Sequence, residues 1–277
     1  MEHDTAKNLD HVEGLLNYLE FTGERPVTYL YEPPEGVPVR SGRTVKHTMH
    51  VYNGRKVAEG LTLDGQGFAF TRHETRVVNF YDPDEVRRVY YPEVTRLIKD
   101  ATGATRVHVF DHNVRCRPMA KEGLNGAREP VKFAHNDYTL TSGPQRVREL
   151  MGDEAEELLK HRFAEINVWR PIRGPVEESP LAVCDAQSMT LSDFIATDLK
   201  YRDRTGEVYS LAYSPNHRWY YFPKMQRDEV LLLKCFDSAD DGRARFTAHT
   251  GFDDPTSAAD AAPRESIEAR MLLFFRE

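Results

Sequence analysis

Phe133-Ala134-His135-Asn136-Asp137 sets an imidazole and a carboxylate two residues apart, and two residues is the repeat of a β-strand. Both side chains then leave the same face of a strand or of its fraying end. Such a pair supplies two ligands of a 2-His-1-carboxylate facial triad, a donor set that holds Fe(II) and leaves positions open. A second His-x-acid match, His11-Val12-Glu13, falls in a stretch with apolar residues at 9, 12, 15, 16, 19 and 21. That spacing predicts an amphipathic helix, on which positions two apart diverge. His135 instead ends a short run, Val131 to Ala134, behind the turn-forming segment Gly123 to Pro130.

Downstream, Asp228 to Lys234 reads as a strongly apolar strand. A charged turn, Asp237 to Arg243, leads to a strand ending His249-Thr250-Gly251-Phe252, and a Pro/Ala/Asp loop leads to a last strand from Arg264 to Phe275. On that strand Arg264, Ser266, Glu268 and Arg270 share one face. A guanidinium with a nearby hydroxyl suits a carboxylate. Two histidines compete for the third ligand position. Arg264 follows His249 by 15 residues, the separation of neighbouring antiparallel strands, but follows His217 by 47. The alternative for His217 is a strand-edge residue packed on Trp219 or Tyr220. For His249 it is a surface residue beside the Asp253-Asp254-Pro255 turn.

The order H-x-D, distal His, then R-x-S on the last strand is the layout of Fe(II)/2-oxoglutarate oxygenases. The stretches NVWRPIRGPVEESPLAVCDAQSM, HRWYYFPKM, DEVLLLKCFDS, AHTGFDDP and PRESIEARMLLFF make the likeness specific. They resemble the bacterial and fungal family of cephamycin methoxylase-subunit-like and gibberellin-desaturase-like proteins, which also includes a meroterpenoid endoperoxidase. The resemblance spans roughly residues 65–277. It implies Fe(II), 2-oxoglutarate and O₂ as reactants, with oxidative decarboxylation and attack on a C–H bond of a small secondary metabolite. It implies His135, Asp137 and His249 as iron ligands and Arg264 (with Ser266) or Arg270 as the 2-oxoglutarate anchor. Hydroxylation, desaturation and other oxidations share these ligands, so the substrate stays open. Two further readings keep the fold: a metal-dependent cupin-type dioxygenase that does not use 2-oxoglutarate, and a non-catalytic binding protein.

Composition fits one catalytic domain over 1–277. The net charge is −7 with an isoelectric point near 5.9. Lys and Arg are interspersed with acids, which argues against nucleic acid as the partner. Cys116, Cys184 and Cys235 are far apart, as expected of reduced thiols in a cytoplasmic protein. No run approaches the 18 apolar residues of a membrane span, and the polar start, Met1 to Asp10, is unlike a signal peptide. A monomer or homodimer is expected, with a partner protein left open.

The coarse pattern is mainly β with flanking helices (α+β). Residues 1–64 read as an N-terminal extension: the helix, a Pro/Gly-rich stretch, and a hairpin pairing Val45–Val51 with Arg55–Leu61 through Asn53-Gly54. A helix follows from about Asp84 to Thr102, with Asp82 or Asp84 at its cap. Residues 105–277 read as a double-stranded β-helix core (jelly roll, cupin-like), with strands at 105–117, 131–135, 163–172, 181–185, 207–213, 217–223, 229–236, 244–250 and 266–275. A Glu/Arg-rich helix, Pro144 to Arg162, is expected outside the barrel. Candidate pocket residues are Arg117 (with Arg115 on the same strand face), Tyr138, Asn167, Trp169, Trp219 and Tyr221. Asp185, an acid in an apolar strand, calls for a buried partner, with Arg170 as the candidate.

Overall fold

The computed structural model describes residues 9–275. The polar start discussed above therefore lies largely outside the described residues. The strands are β1 (His11–Glu20), β2 (Val27–Tyr29), β3 (Arg43–Asn53), β4 (Phe68–Arg72), β5 (Arg106–Cys116), β6 (His135–Asn136) and β7 (Phe163–Pro171). They continue as β8 (Leu181–Cys184), β9 (Phe194–Lys200), β10 (Thr205–Leu211), β11 (Trp219–Tyr221), β12 (Glu229–Asp237), β13 (His249–Gly251) and β14 (Glu265–Phe274). One sheet runs β1-β3-β11-β8-β13-β6-β10-β9-β2 and the other β4-β12-β7-β14-β5. The two curl face to face as the jelly roll that the strand pattern led us to expect.

Alternation splits each strand between two environments. On β12, Leu231, Leu233 and Cys235 enter the space between the sheets, whereas Val230 and Leu232 turn outward. On β14, Leu272 and Phe274 point inward, and Ile267, Ala269, Met271 and Leu273 point out. The inward set keeps the parity of 264, 266, 268 and 270, so the polar face read from sequence faces the barrel interior. The outward set is covered by α1 (Pro83–Glu85), a π-turn at Val86–Tyr90 and α2 (Tyr91–Thr102), through Val86, Tyr90, Val94 and Ile98. Asp82 caps this segment by accepting from the backbone of Asp84 and Glu85. Gly103, at φ 72°, ends it in the left-handed conformation that a Cβ disfavours.

Three expectations need correction. The stretch Leu9–Phe21 is not a helix: β1 pairs with β3 from His11↔Tyr52 to Glu20↔Arg43. Gly14, Leu16 and Tyr18 are buried on one strand face, while Leu15 and Phe21, which created the helical spacing, are exposed. Gly14 is required there, since a Cβ would come 2.8 Å from Val51 and 3.0 Å from Phe252. Asn53-Gly54 is not a hairpin turn either. Asn53 caps a 3-10 helix, Gly54–Gly60, and Gly54 lies so close to Phe222 that a Cβ would sit 2.8 Å from the ring. Finally, the helix expected outside the barrel breaks into α4 (Ser142–Met151) and α5 (Ala155–Leu158), α3 being the short turn Arg117–Lys121. Val147, Met151 and Ala155 join the interior cluster, so this segment packs into the barrel. Strands β2, β4 and β9 carried no clear signal.

Trp219 and Tyr221 also move. Tyr220 between them faces the interior, and they pack on the opposite face with Leu16, Tyr18, Val51 and Phe252. The Trp219 indole donates to the Tyr18 hydroxyl at 2.7 Å. Both rings are core, because β1 and β3 cover a face that a barrel without that extension would expose.

Candidate metal centre

The strand β6 is only two residues long, and its position makes the site. His135 pairs with Ser210 of β10 on one side and His249 of β13 on the other. The ladder thus sets the two imidazoles side by side, ring centres 4.5 Å apart. Asp137 leaves the end of β6 with a carboxylate oxygen 3.5 Å from His135 Nε2. One donor atom from each of His135, Asp137 and His249 lies within 4.8 Å of the others. His217 is elsewhere: it is buried, stacked on Tyr18 and 3.4 Å from Asp193.

Hydrogen bonds orient the donors. Nδ1 of His135 lies 2.7 Å from the Phe133 carbonyl, and Nδ1 of His249 lies 3.2 Å from that of Thr247. A carbonyl only accepts, so each Nδ1 carries the proton and each Nε2 offers a lone pair. Asn167 donates to Asp137 Oδ2 at 2.8 Å and to Glu268 at 3.1 Å. Burial raises the Asp137 carboxyl. Where the imidazoles are protonated, a hydrogen bond from His135 and the charges of His249, His135 and Arg270 outweigh it and hold the group below its ordinary range, so the carboxylate is ionised before the imidazoles become neutral. Burial, then His135, lowers the His249 imidazole. Two neutral imidazoles and an ionised carboxylate with converging lone pairs are a donor set that fits Fe(II).

A narrow cavity opens beside His135 and His249, walled by Trp169, Glu268, Arg115 and Arg264. It holds about 20 Å³ as it stands. Arg264 is buried and donates to the Ser179 carbonyl at 2.5 Å, with its guanidinium 5.6 Å from the Trp169 ring centre. Among the described residues its Nε has no hydrogen-bond partner, and neither has the Ser266 hydroxyl. Burial, then the neighbouring Arg115, pushes the Arg264 guanidinium down to about 9, so it still carries its charge near neutrality. A buried cation and hydroxyl left unmatched are costly unless a ligand completes them. Arg270 differs: it holds Asp111 through two bonds of 2.7 and 2.5 Å.

A second cavity, of about 290 Å³, reaches Asp137 from the other side. Tyr138, Arg146, Tyr201, Arg204, Glu207 and Arg270 are among its walls. Arg25 ties β9 to β10 there by pairing with Asp198 and Glu207.

The barrel interior therefore gathers most residues singled out from sequence. Asn167 touches Asp137, Trp169 walls the narrow cavity and Tyr138 the larger one. Arg117 does not join them, because β5 ends at Cys116 and Arg117 turns to Glu178 at 2.9 Å. Asp185 pairs with Arg218 at 2.7 Å. Arg170 is instead spent on backbone carbonyls of His73 and Arg227. Sequence reasoning missed Arg146, on a helix expected to lie outside the barrel, and Tyr201 and Arg204, in a turn without a periodic signal. It named Arg115 only beside Arg117 and gave Glu268 no place at the site, although parity had put Glu268 on the inner face.

A jelly-roll barrel with two imidazoles and a carboxylate converging at one end defines a facial-triad metal protein. Residues 16–274 match the family described as Oxidoreductase/YMDC permease-like domain. No helix of the described residues is long and apolar enough to cross a membrane. The hydroxylase/desaturase CTB9 of Cercospora beticola is 34% identical over 83% of this chain and 77% of its own length. The hydroxylase/desaturase efuI of Hormonema carpetanum is 35% identical, over 86% of this chain and 90% of its own. The Fe(II)/2-oxoglutarate-dependent dioxygenase nvfI of Aspergillus novofumigatus is 30% identical, over 89% of this chain and 90% of its own. A solved structure of the iron and alpha-ketoglutarate-dependent endoperoxidase NvfI superposes with a TM-score of 0.88 at 26% identity, covering 96% of this chain and 99% of that one. The chain belongs to this oxidoreductase family, among the Fe(II)/2-oxoglutarate-dependent hydroxylases and desaturases.

Proposed function

We propose that the protein is an Fe(II)/2-oxoglutarate-dependent oxygenase that hydroxylates or desaturates a small secondary metabolite. The observation that carries this reading is the unmatched pair Arg264 Nε and Ser266 Oγ, buried on the strand face that looks into the cavity shared with His135 and His249. His135, Asp137 and His249 hold the iron. Arg264 and Ser266 take the distal carboxylate of 2-oxoglutarate. The cavity admits this acid by moving its lining side chains apart. When bound, the iron activates O₂ and couples decarboxylation of 2-oxoglutarate, to succinate and CO₂, to attack on a C–H bond.

The chain's own residues set the rest. The backbone carbonyls of Phe133 and Thr247 fix the histidine tautomers, and Asn167 fixes the Asp137 carboxylate. The larger cavity takes the substrate, which approaches from the Asp137 side past Tyr138. Its walls set charged groups such as Arg146, Arg204 and Glu207 among apolar surface, which favours a metabolite of mixed polarity over a plain hydrocarbon. The whole chain acts as one catalytic domain. The acidic balance and the three buried free thiols support a cytoplasmic monomer or homodimer acting on a small molecule rather than on nucleic acid or a membrane.

The test is anaerobic titration with Fe(II), then 2-oxoglutarate, followed by visible absorption. A weak charge-transfer band that needs both additions supports the reading. Iron bound without the band rejects 2-oxoglutarate as co-substrate, and no iron bound rejects the metal centre.

A further inference from the structure

The narrow cavity holds one more cation than the anchor requires. Arg115 on β5 is half-buried, and it walls the same cavity as His135, His249 and Arg264. Its Nη1 donates a 2.8 Å hydrogen bond to the Glu129 carbonyl, and no carboxylate of the described residues forms an ion pair with it. Two carboxylates accompany the two arginines: Glu268 in the same wall, and Asp137 beside the imidazoles, which also acts on Arg115. The protein walls are thus neutral overall once the imidazoles are neutral ligands. Fe(II) then brings a double positive charge. A dianion cancels it, and a monoanion does not. Without Arg115 the walls would carry one negative charge too many for a dianion.

The ladder says which end of the dianion Arg115 meets. On β14, Ser266 lies opposite Arg115, Glu268 opposite Asn113 and Arg270 opposite Asp111. On its other flank Arg270 lies opposite Asn167, the residue that bonds Asp137. Position along this strand therefore measures distance from the metal end. Arg115 stands level with residue 266, two positions nearer Asp137 than Arg264, about 7 Å at the strand rise. The electrostatics agree: Asp137 and Glu268 both act on Arg115, whereas Asp137 is not among the main influences on Arg264.

We infer that Arg115 is a co-substrate-binding residue that neutralises the carboxylate next to the metal, while Arg264 takes the distal one. Resting on the 2-oxoglutarate reading above, this makes the site selective at two points rather than one. Any 2-oxo acid uses Arg115, and only a 2-oxo dicarboxylate uses Arg264 as well.

Two probes separate these ends. 2-Oxoglutarate carries both carboxylates, and pyruvate carries only the one beside the oxo group. Their affinities for the Fe(II) protein are measured anaerobically by calorimetry, with no turnover. Loss of a charge-assisted contact weakens binding by roughly 10- to 100-fold. Arg115→Gln is expected to weaken both acids to that extent, with part of the loss restored in Arg115→Lys. Arg264→Gln is expected to weaken 2-oxoglutarate and leave pyruvate unchanged. A folded Arg115→Gln that binds both acids like wild type overturns the inference. So does a variant that loses only 2-oxoglutarate, since that places Arg115 at the distal end. If Arg115→Gln does not fold, Arg115→Met is measured with the same acids, and unchanged affinity for both overturns it. Wild-type protein that binds neither acid overturns the co-substrate reading and this inference with it.

Discussion

Arg264, immediately before β14, and Arg270 on it share one face by alternation, six positions apart, and their surroundings are opposite. Arg270 meets a carboxylate, Asp111, through two bonds. Arg264 meets one backbone carbonyl, has an unpaired Nε and lies beside another arginine. The first is a completed ion pair in the wall of the large cavity. The second is a buried cation with no ion pair among the described residues, in the cavity of the two imidazoles. Equal residue type on an equal face does not mean equal role; the partner decides. A satisfied arginine holds structure, and an unsatisfied one waits for an anion.

The comparison breaks most completely without the metal. His249→Ala or Asp137→Ala is expected to abolish Fe(II) binding, read by equilibrium dialysis, while circular dichroism stays native. Retained stoichiometric iron would remove the residue from the centre and leave Arg264 no reactant to align. Next in size is Arg264→Met. It should raise the dissociation constant for 2-oxoglutarate by roughly 10- to 100-fold, the loss of a charge-assisted contact. Arg270→Met should leave that constant within about twofold. Its side chain and that of Asp111 are partly exposed, so its effect on stability should be about 1 kcal/mol, read by chemical denaturation.

Asn167→Ala sharpens the account from the metal side. Asp137 would lose its 2.8 Å donor, and iron affinity should fall roughly 10- to 100-fold, as for other groups that orient a ligand. Unchanged iron affinity would show that the β6 backbone alone holds the carboxylate. The smallest functional effect is expected far from both cavities. Trp219→Phe removes the bond to Tyr18 and should cost about 1–3 kcal/mol of stability, with the 2-oxoglutarate affinity unmoved. A shifted affinity there would mean that the outer core and the site are coupled.

What could be read from the chain follows from how local each signal is. Two-residue alternation is carried by the strand itself, so His135 and Asp137, and the polar face from Arg264 to Arg270, were legible. His249 was favoured over His217 by spacing alone, and β13 pairs it with His135. Choosing between Arg264 and Arg270 was not legible, because it depends on Asp111, which the ladder brings in from a strand far away in sequence. Trp219 and Tyr221 were misread for the same reason: alternation gives two faces without saying which one β1 will cover. β1 itself was lost to the chance helical spacing of Leu15 and Phe21, both exposed. Its pairing with β3 outweighed that pattern, as tertiary context commonly does. The larger cavity was not legible, because its helix was expected outside the barrel and nothing local brings that helix to β9, β10 and Arg270.

The central claim is that the unmatched arginine, not the paired one, receives the co-substrate. A crystal structure of the protein with Mn(II) and 2-oxoglutarate, grown without O₂, tests it most directly. The account predicts metal on His135, Asp137 and His249, with the distal carboxylate of 2-oxoglutarate on Arg264 and Ser266 and the Arg270–Asp111 pair intact. A distal carboxylate bound to Arg270, with Asp111 displaced, would contradict it.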